Sequence, residues 1–291
     1  MICTVESNCL SNKERFLALI AEKLSECSID YTEKMRVIQT TRKSGEPHSA
    51  AGVLLLLHFR NIDPVSINNN GQFIIQLIKR SVKVTQPGDL SCPGGLLHNI
   101  LDPLLRPLIT SGLIPILQGN ALKYTQMKDH ATSRMISLFL TNAAREAWEE
   151  TGLKPWNISF LGPLPSYSLL LFKRIIFPLV GFVKGEWHFH PNQEVEDIVE
   201  IPLTAFFDVK NYGRYRIETS SELRADRQGA REFPCLITHD KQGKEEILWG
   251  ATFFIIMNFL KIVLNFEIPD LHANRVIKRT LGAEYLTGHH K

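Results

Sequence analysis

Three glutamates in the middle of the chain, Glu146, Glu149 and Glu150, are spaced so that a helix would carry all of them on one face, and Gly152 follows at once to end that helix. At about 100° per residue they fall within an arc of roughly 100°. Like charges this close repel one another unless a cation neutralises them. Carboxylate oxygens at that density suit Mg²⁺ or Mn²⁺, hard ions completed by water and by substrate phosphates. Such ions neutralise a diphosphate and lower the pKa of a bound water from about 16 towards 7. Glu149 and Glu150 are the preferred metal ligands, with Glu146 as a third ligand or as the base that takes the water's proton. Arg145 is placed to orient a carboxylate through a forked hydrogen bond. The competing description is a solvated acidic helix end.

A metal site needs a rigid support, and the periodicity supplies one. Ser133 to Glu150 reads as a helix whose other face, Ile136, Phe139, Leu140, Ala143, Ala147 and Trp148, forms an apolar stripe fit to dock on a sheet. Gly152 suits the left-handed position after the helix end. Upstream, Asn12 to Glu26 reads as an amphipathic helix with Ser11 as its cap. Val53 to Phe59 is an apolar run typical of a buried strand, and Asn68 to Gly71 marks a turn into a second strand, Phe73 to Ile78. Strand-like runs return at Ile158 to Leu161, Ile175 to Val183, Ile198 to Ile201 and Tyr215 to Glu218, before a helix from Trp249 to Asn265. Strands, helix, strands, helix is the pattern of an α+β fold.

The string Arg145-Glu146-Ala147-Trp148-Glu149-Glu150-Thr151-Gly152-Leu153 fills every specified position of Arg-Glu-apolar-x-Glu-Glu-x-Gly-apolar, and so resembles the second half of the signature of the Nudix hydrolases. Lys79-Arg80-Ser81, followed by Pro93-Gly94-Gly95, is similar to the coenzyme A pyrophosphatase branch of that family, and the likeness runs from about Gly52 to Leu264. The resemblance implies an α/β/α sandwich with a mixed sheet, and an enzyme that uses Mg²⁺ or Mn²⁺ to hydrolyse a phosphoanhydride in a nucleoside diphosphate derivative. Within it, Glu146, Glu149 and Glu150 hold metal, and a further acid, Glu194 or Glu196, completes the site unless it is merely an exposed turn. Lys79 and Arg80 bind the 3'-phosphate and diphosphate of coenzyme A, and Gly94 and Gly95 let backbone approach phosphate. Coenzyme A or an acyl derivative, cleaved to a phosphopantetheine product and adenosine 3',5'-bisphosphate, is the substrate this branch implies. ADP-ribose or NADH is the enzymatic alternative, and a catalytically inactive nucleotide-binding module is the non-enzymatic one.

The chain also departs from the family pattern. Gly95 and Arg145 stand 50 positions apart, so an inserted segment of about residues 96–130 splits the motif. The acid expected between them is missing: Leu101 takes its place, Asp102 is one residue out of register, and Lys128-Asp129 offers a displaced alternative. Pro103, Pro107 and Pro115 make the insertion unsuited to one long helix. It is expected either to act as a lid or homodimer contact, or to pack as an extra subdomain.

Composition bounds the rest. A chain of 291 residues, 44% hydrophobic, can bury one large core. The expected division is an N-terminal helical extension over 1–48, a catalytic domain over 49–268 and a tail over 269–291. A net charge of +3 argues against nucleic acid as the main partner. Ala251 to Val263 is too short to span a bilayer. The five cysteines form no Cys-x-x-Cys pair, which points to a reducing, cytoplasmic setting. His188 and His190 alternate along the chain without a third ligand and read as surface histidines rather than a zinc pair.

Overall fold

Most of the long elements are dictated by apolar periodicity. The computed structural model describes residues 10, 12–61, 71–169, 172–219, 231–281 and 285. Helix α1 (Lys13–Glu26) is capped by Asn12, whose side chain accepts from the Arg15 amide at 3.0 Å, while Ser11 lies outside the described residues. Its Phe16, Ile20 and Leu24 are fully buried. Helix α2 (Tyr31–Lys43) sets Tyr31, Met35 and Ile38 against the core and fully buries Tyr31, whose hydroxyl donates to the Pro178 carbonyl at 2.6 Å.

Strand β1 (Ser49–Asn61) pairs antiparallel with β2 (Gly71–Arg80) and parallel with the later β7. The expected Asn68 turn lies largely outside the described residues, but the hairpin it would join is present. Short β3 (Leu90–Ser91) and β4 (Gly94–Leu96) pair with β2 and β1. The inserted segment forms α3 (Leu101–Thr110) and α4 (Gly119–Met127), two short helices rather than one long one. Helix α5 (His130–Thr151) is capped by Asp129, which accepts from Thr132, and ends at Gly152 with φ 77°.

Then come β5 (Ile158–Pro163), β6 (Tyr167–Leu169), β7 (Arg174–Val183) and β8 (Val195–Pro202), completing an eight-stranded mixed sheet with the path β3-β2-β1-β7-β5. A second sheet, β11-β10-β9-β12, holds β9 (Tyr212–Thr219), β10 (Arg231–His239) and β11 (Glu245–Leu248). Helix α6 (Gly250–Leu264) precedes its last strand, β12 (Val276–Leu281). The segment expected to be a tail from residue 269 is therefore structural: β12 pairs parallel with β9, and Tyr285 is buried.

The main sheet is covered on both faces, which makes the architecture an α/β/α sandwich within the α+β class. On β1, Leu55 and Leu57 join α1 and α6 in one core, while Leu54 and Leu56 join α5 in the other. That two-sided burial explains the unbroken apolar run of β1. The N-terminal helices pack into these cores rather than standing apart. Trp148, expected in the docking stripe, instead lies 44% exposed, edge-on to Trp156. It shares the face of Arg145 and Glu149, which looks onto the insertion.

Candidate active site

Packing fixes α5, and its last two turns present the acidic string to β4. Glu150 is buried, and one of its carboxylate oxygens accepts from the Gly94 amide at 2.9 Å. The Glu146 carboxylate rests against Gly95, where a Cβ would come within 2.5 Å of its Cδ. Gly94 itself has φ 151°, and a Cβ there would collide with the Gly52 carbonyl. Both glycines of the Pro93-Gly94-Gly95 turn are thus required by close approach: one to backbone, the other to a carboxylate.

Arg145 organises the remaining acids. Its Nε donates to Asp102 Oδ1 at 2.7 Å, Nη2 to Glu146 Oε1 at 2.9 Å, and Nη1 to Glu149 Oε2 at 2.8 Å. Asp102 is 0% exposed and also accepts from Asn142 Nδ2 at 3.0 Å and from the His98 amide at 2.7 Å. Asp102 therefore reaches Arg145 from the first turn of α3, while Asp129 caps α5. Asn142, buried in the middle of α5, also accepts from the Gly52 amide and donates to the Leu96 carbonyl. It joins β1, β4, α3 and α5 at one point. Its place one turn before Arg145 and Glu146, on the face that carries the acids, was the available sign of that role.

Electrostatics favour a cation here. Three carboxylates, Asp102, Glu146 and Glu149, share the Arg145 guanidinium, and the Glu150 carboxylate lies close to that of Glu146. Burial pushes the Glu150 carboxyl up to about 8, the Gly94 amide opposing and Glu146 adding to the rise. Burial also raises Glu146, against the pull of Arg145. Burial works against the charge on Arg145, but Asp102, Glu146 and Glu149 outweigh it and raise its pKa. With Glu146 and Glu149 clasped by Arg145, no three acid, His or Cys side chains among the described residues are gathered to hold an ion directly. The set nevertheless fits a divalent cation: carboxylate oxygens in excess of their counter-charge, one of them raised by desolvation. Glu149 is 52% exposed and free to swing off Nη1 towards Glu150, while Asp102 keeps Nε.

Beside this cluster, Gly94 and Gly95 open onto a cavity of about 410 Å³ whose walls include Arg80, Arg174, Trp249 and Tyr285. Arg80 thus reaches the site and Lys79 does not. The pairing of β2 with β8 shifts register between these two residues, and the Lys79 ammonium is buried against Glu246 at 2.7 Å and Glu196 at 3.1 Å. Glu194 is close enough to raise the Glu150 carboxyl, whereas Glu196 is taken by Lys79. His190 contacts the His188 carbonyl and packs on the end of α5, where its amide donates to the Thr151 carbonyl at 3.0 Å. From the segment between β4 and α5, Ile109, Ile116, Leu117 and Ala121 join the core beneath α5. Between α3 and α5 this segment leaves an apolar groove of about 430 Å³, with Arg145 and Glu149 among its walls. No helix is long and apolar enough, among the described residues, to cross a membrane.

No family model matches the chain. Among curated proteins, 84 residues, 28% of the chain, are 33% identical to "Uncharacterized Nudix hydrolase NudL" of Pectobacterium atrosepticum, and cover 43% of that protein. The chain thus matches less than half the length of this relative. Among solved structures, a MutT/nudix family protein from Enterococcus faecalis aligns over 81% of this chain and 73% of its own, at 14% identity and a TM-score of 0.39. The NUDIX domain of Shewanella oneidensis NrtR, complexed with ADP ribose, aligns over 56% and 77% at 13% identity and a TM-score of 0.32. By sequence, the chain is similar to a Nudix hydrolase.

Proposed function

We propose that this protein is a pyrophosphatase that uses Mg²⁺ or Mn²⁺ to hydrolyse the anhydride of a nucleoside diphosphate derivative. The observation that carries this reading is the meeting of Glu146 and Glu150 with the Gly94-Gly95 backbone at the mouth of a cavity large enough for a nucleotide. Glu146, Glu149 and Glu150 would hold the ion, which supplies charge neutralisation and a more acidic bound water. Arg145, anchored by Asp102, positions the carboxylates that border it. Gly94 and Gly95 leave room for phosphate to approach backbone, and Arg80 contributes positive charge from the cavity wall. Within this class, coenzyme A or an acyl derivative is the preferred substrate, on the strength of Lys79-Arg80-Ser81 followed by Pro93-Gly94-Gly95. ADP-ribose or NADH is the alternative.

The test is to incubate the protein with Mg²⁺ or Mn²⁺ and coenzyme A, ADP-ribose or NADH, and to identify products by mass. Turnover of at least one, lost in Glu149→Gln, supports the reading. No product from any of the three would transfer it to a nucleotide-binding module without turnover.

A further inference from the structure

Helix α3 turns apolar side chains outward. Ile100, Leu104 and Leu108 recur every fourth residue and so line one face, where Ile100 is 75% and Leu104 69% exposed. The helix has only two charged residues, and neither belongs to that face: Asp102 is buried on Arg145, and Arg106 reaches Ser137 at 3.5 Å. Beside this ridge runs the apolar groove of about 430 Å³, walled by Leu101 and Leu105 from α3 and by Ala144 and Trp148 from α5. Trp156, also exposed, abuts Trp148 with ring centroids 5.6 Å apart. Taking roughly 150–250 Å² for a large side chain, Ile100, Leu104, Leu108, Trp148 and Trp156 together expose on the order of 500 Å². The largest apolar patch of a typical monomer spans about 300–600 Å² and commonly serves contact. A standard interface takes about 800 Å² from each partner, and the groove walls supply the remainder.

We propose that α3 and the groove beside it form a two-fold interface between two copies of this chain, each ridge seated in the other's groove. A convex ridge and a concave groove lie side by side on one surface, which is what an isologous contact needs, since the same patch serves both partners. Side chains spaced by four residues form the rows that pack into grooves between helices. The charges agree. The groove edge carries both signs, Glu149 in its wall and Lys154 over the Trp156 ring, so a two-fold axis can set each opposite the other. Within the patch, charge is sparse and two tryptophans are present, the composition of an interface centre. Other occupants cover less. A small apolar ligand fills the groove and leaves the ridge bare, and an anionic bilayer covers the ridge but presses the half-exposed Glu149 against its headgroups. Because Arg145 and Glu149 belong to the groove wall, the partner copy closes one side of the acidic cluster. The interface does not depend on the pyrophosphatase reading.

Sedimentation velocity of the full chain from about 1 to 100 µM, the weak end for an interface of this area, tests it. The unmodified protein should run as a dimer at the upper end of that range. Leu104→Asp should run as a monomer, its dissociation constant raised about tenfold or more by a charge buried without a partner. The aspartate replaces an exposed side chain, so the far-ultraviolet circular dichroism should not change, and Ile100→Asp repeats the test if Leu104→Asp does not fold. Val209→Asp, at an exposed apolar residue on the turn before β9, should leave the dimer intact. A monomer throughout would overturn the proposal. So would a dimer that survives both ridge variants, or one that dissociates in Val209→Asp. Flotation with vesicles of phosphatidylcholine and phosphatidylserine supplies the remaining arm. A monomer that floats with them, and ceases to in Leu104→Asp, would reassign the ridge to a membrane surface and overturn the dimer.

Discussion

Asp102 and Arg145 lie 43 positions apart in the chain, yet the carboxylate accepts both Nε and Nη2 of the guanidinium, at 2.7 and 3.3 Å, with Asp102 wholly buried. The segment between Gly95 and Arg145 therefore supplies an anchor for the arginine. Removing one partner of a buried pair leaves the other uncompensated, so Asp102→Ala should cost roughly 3–5 kcal/mol of stability. Mn²⁺ affinity should fall as well, because Arg145 would be left to pair more tightly with Glu146 and Glu149. Urea unfolding and metal titration check both. An unchanged midpoint would show that the pair carries no net weight.

Gly95→Ala should separate chemistry from stability. The added Cβ meets the end of a flexible side chain, Glu146, rather than backbone. The fold should therefore persist, while the displaced carboxylate costs about 10²-fold in turnover, the scale for an error of about 1 Å. Gly94→Ala strikes backbone and should unfold the chain more readily. Melting temperature and kcat, measured side by side, distinguish the two variants.

Glu150 should make metal-free stability depend on pH. Its carboxyl is raised from 4.5 to about 8, mainly by burial, so the native state holds this proton more tightly than the unfolded chain does. The stabilisation it provides is complete below pH 4.5 and is lost as pH rises through 8. In EDTA the melting temperature should decline across that window, and Glu150→Gln should flatten the decline. Mn²⁺ uptake at pH 7 should release close to one proton in weakly buffered solution. The same slope in the glutamine variant would assign the titration elsewhere.

Lys79→Met should affect the fold and spare substrate recognition. The ammonium is held by Glu246 and Glu196 and is not part of the cavity wall. Glu246 is also buried, so losing its partner should cost about 3 kcal/mol. KM for a turned-over substrate, measured below the melting transition, should move less than twofold. A tenfold rise would return Lys79 to the binding surface.

Much of this site was legible because helical periodicity is local. The spacing of Glu146, Glu149 and Glu150 and the stop at Gly152 follow from consecutive residues, and α5 carries them as that spacing requires. The pairing of β1 with β2 and their burial followed from apolar runs. Lys79 and Arg80 were read together as a basic pair, and only the ion pairs of Lys79 with Glu246 and Glu196, which are distant in sequence, take it out of the cavity wall. Asp102 was visible as the nearest acid, but only the packing of α3 on α5 shows that it reaches Arg145. Arg174 belongs to no motif and gains meaning only from the cavity it enters. Helix α2 and strand β12 escaped because one turns inward only Tyr31, Met35 and Ile38 of a largely polar sequence and the other is a short segment with two charged residues.

The knot of Asp102, Arg145 and Asn142 fastens the two sides of the interruption together through side chains, so peptide continuity between them matters little. The turn at Ser111-Gly112-Leu113 is exposed and lies beyond this fastening. Protease cleavage there should yield two fragments that copurify under native conditions and still bind Mn²⁺ with the affinity of the uncut chain.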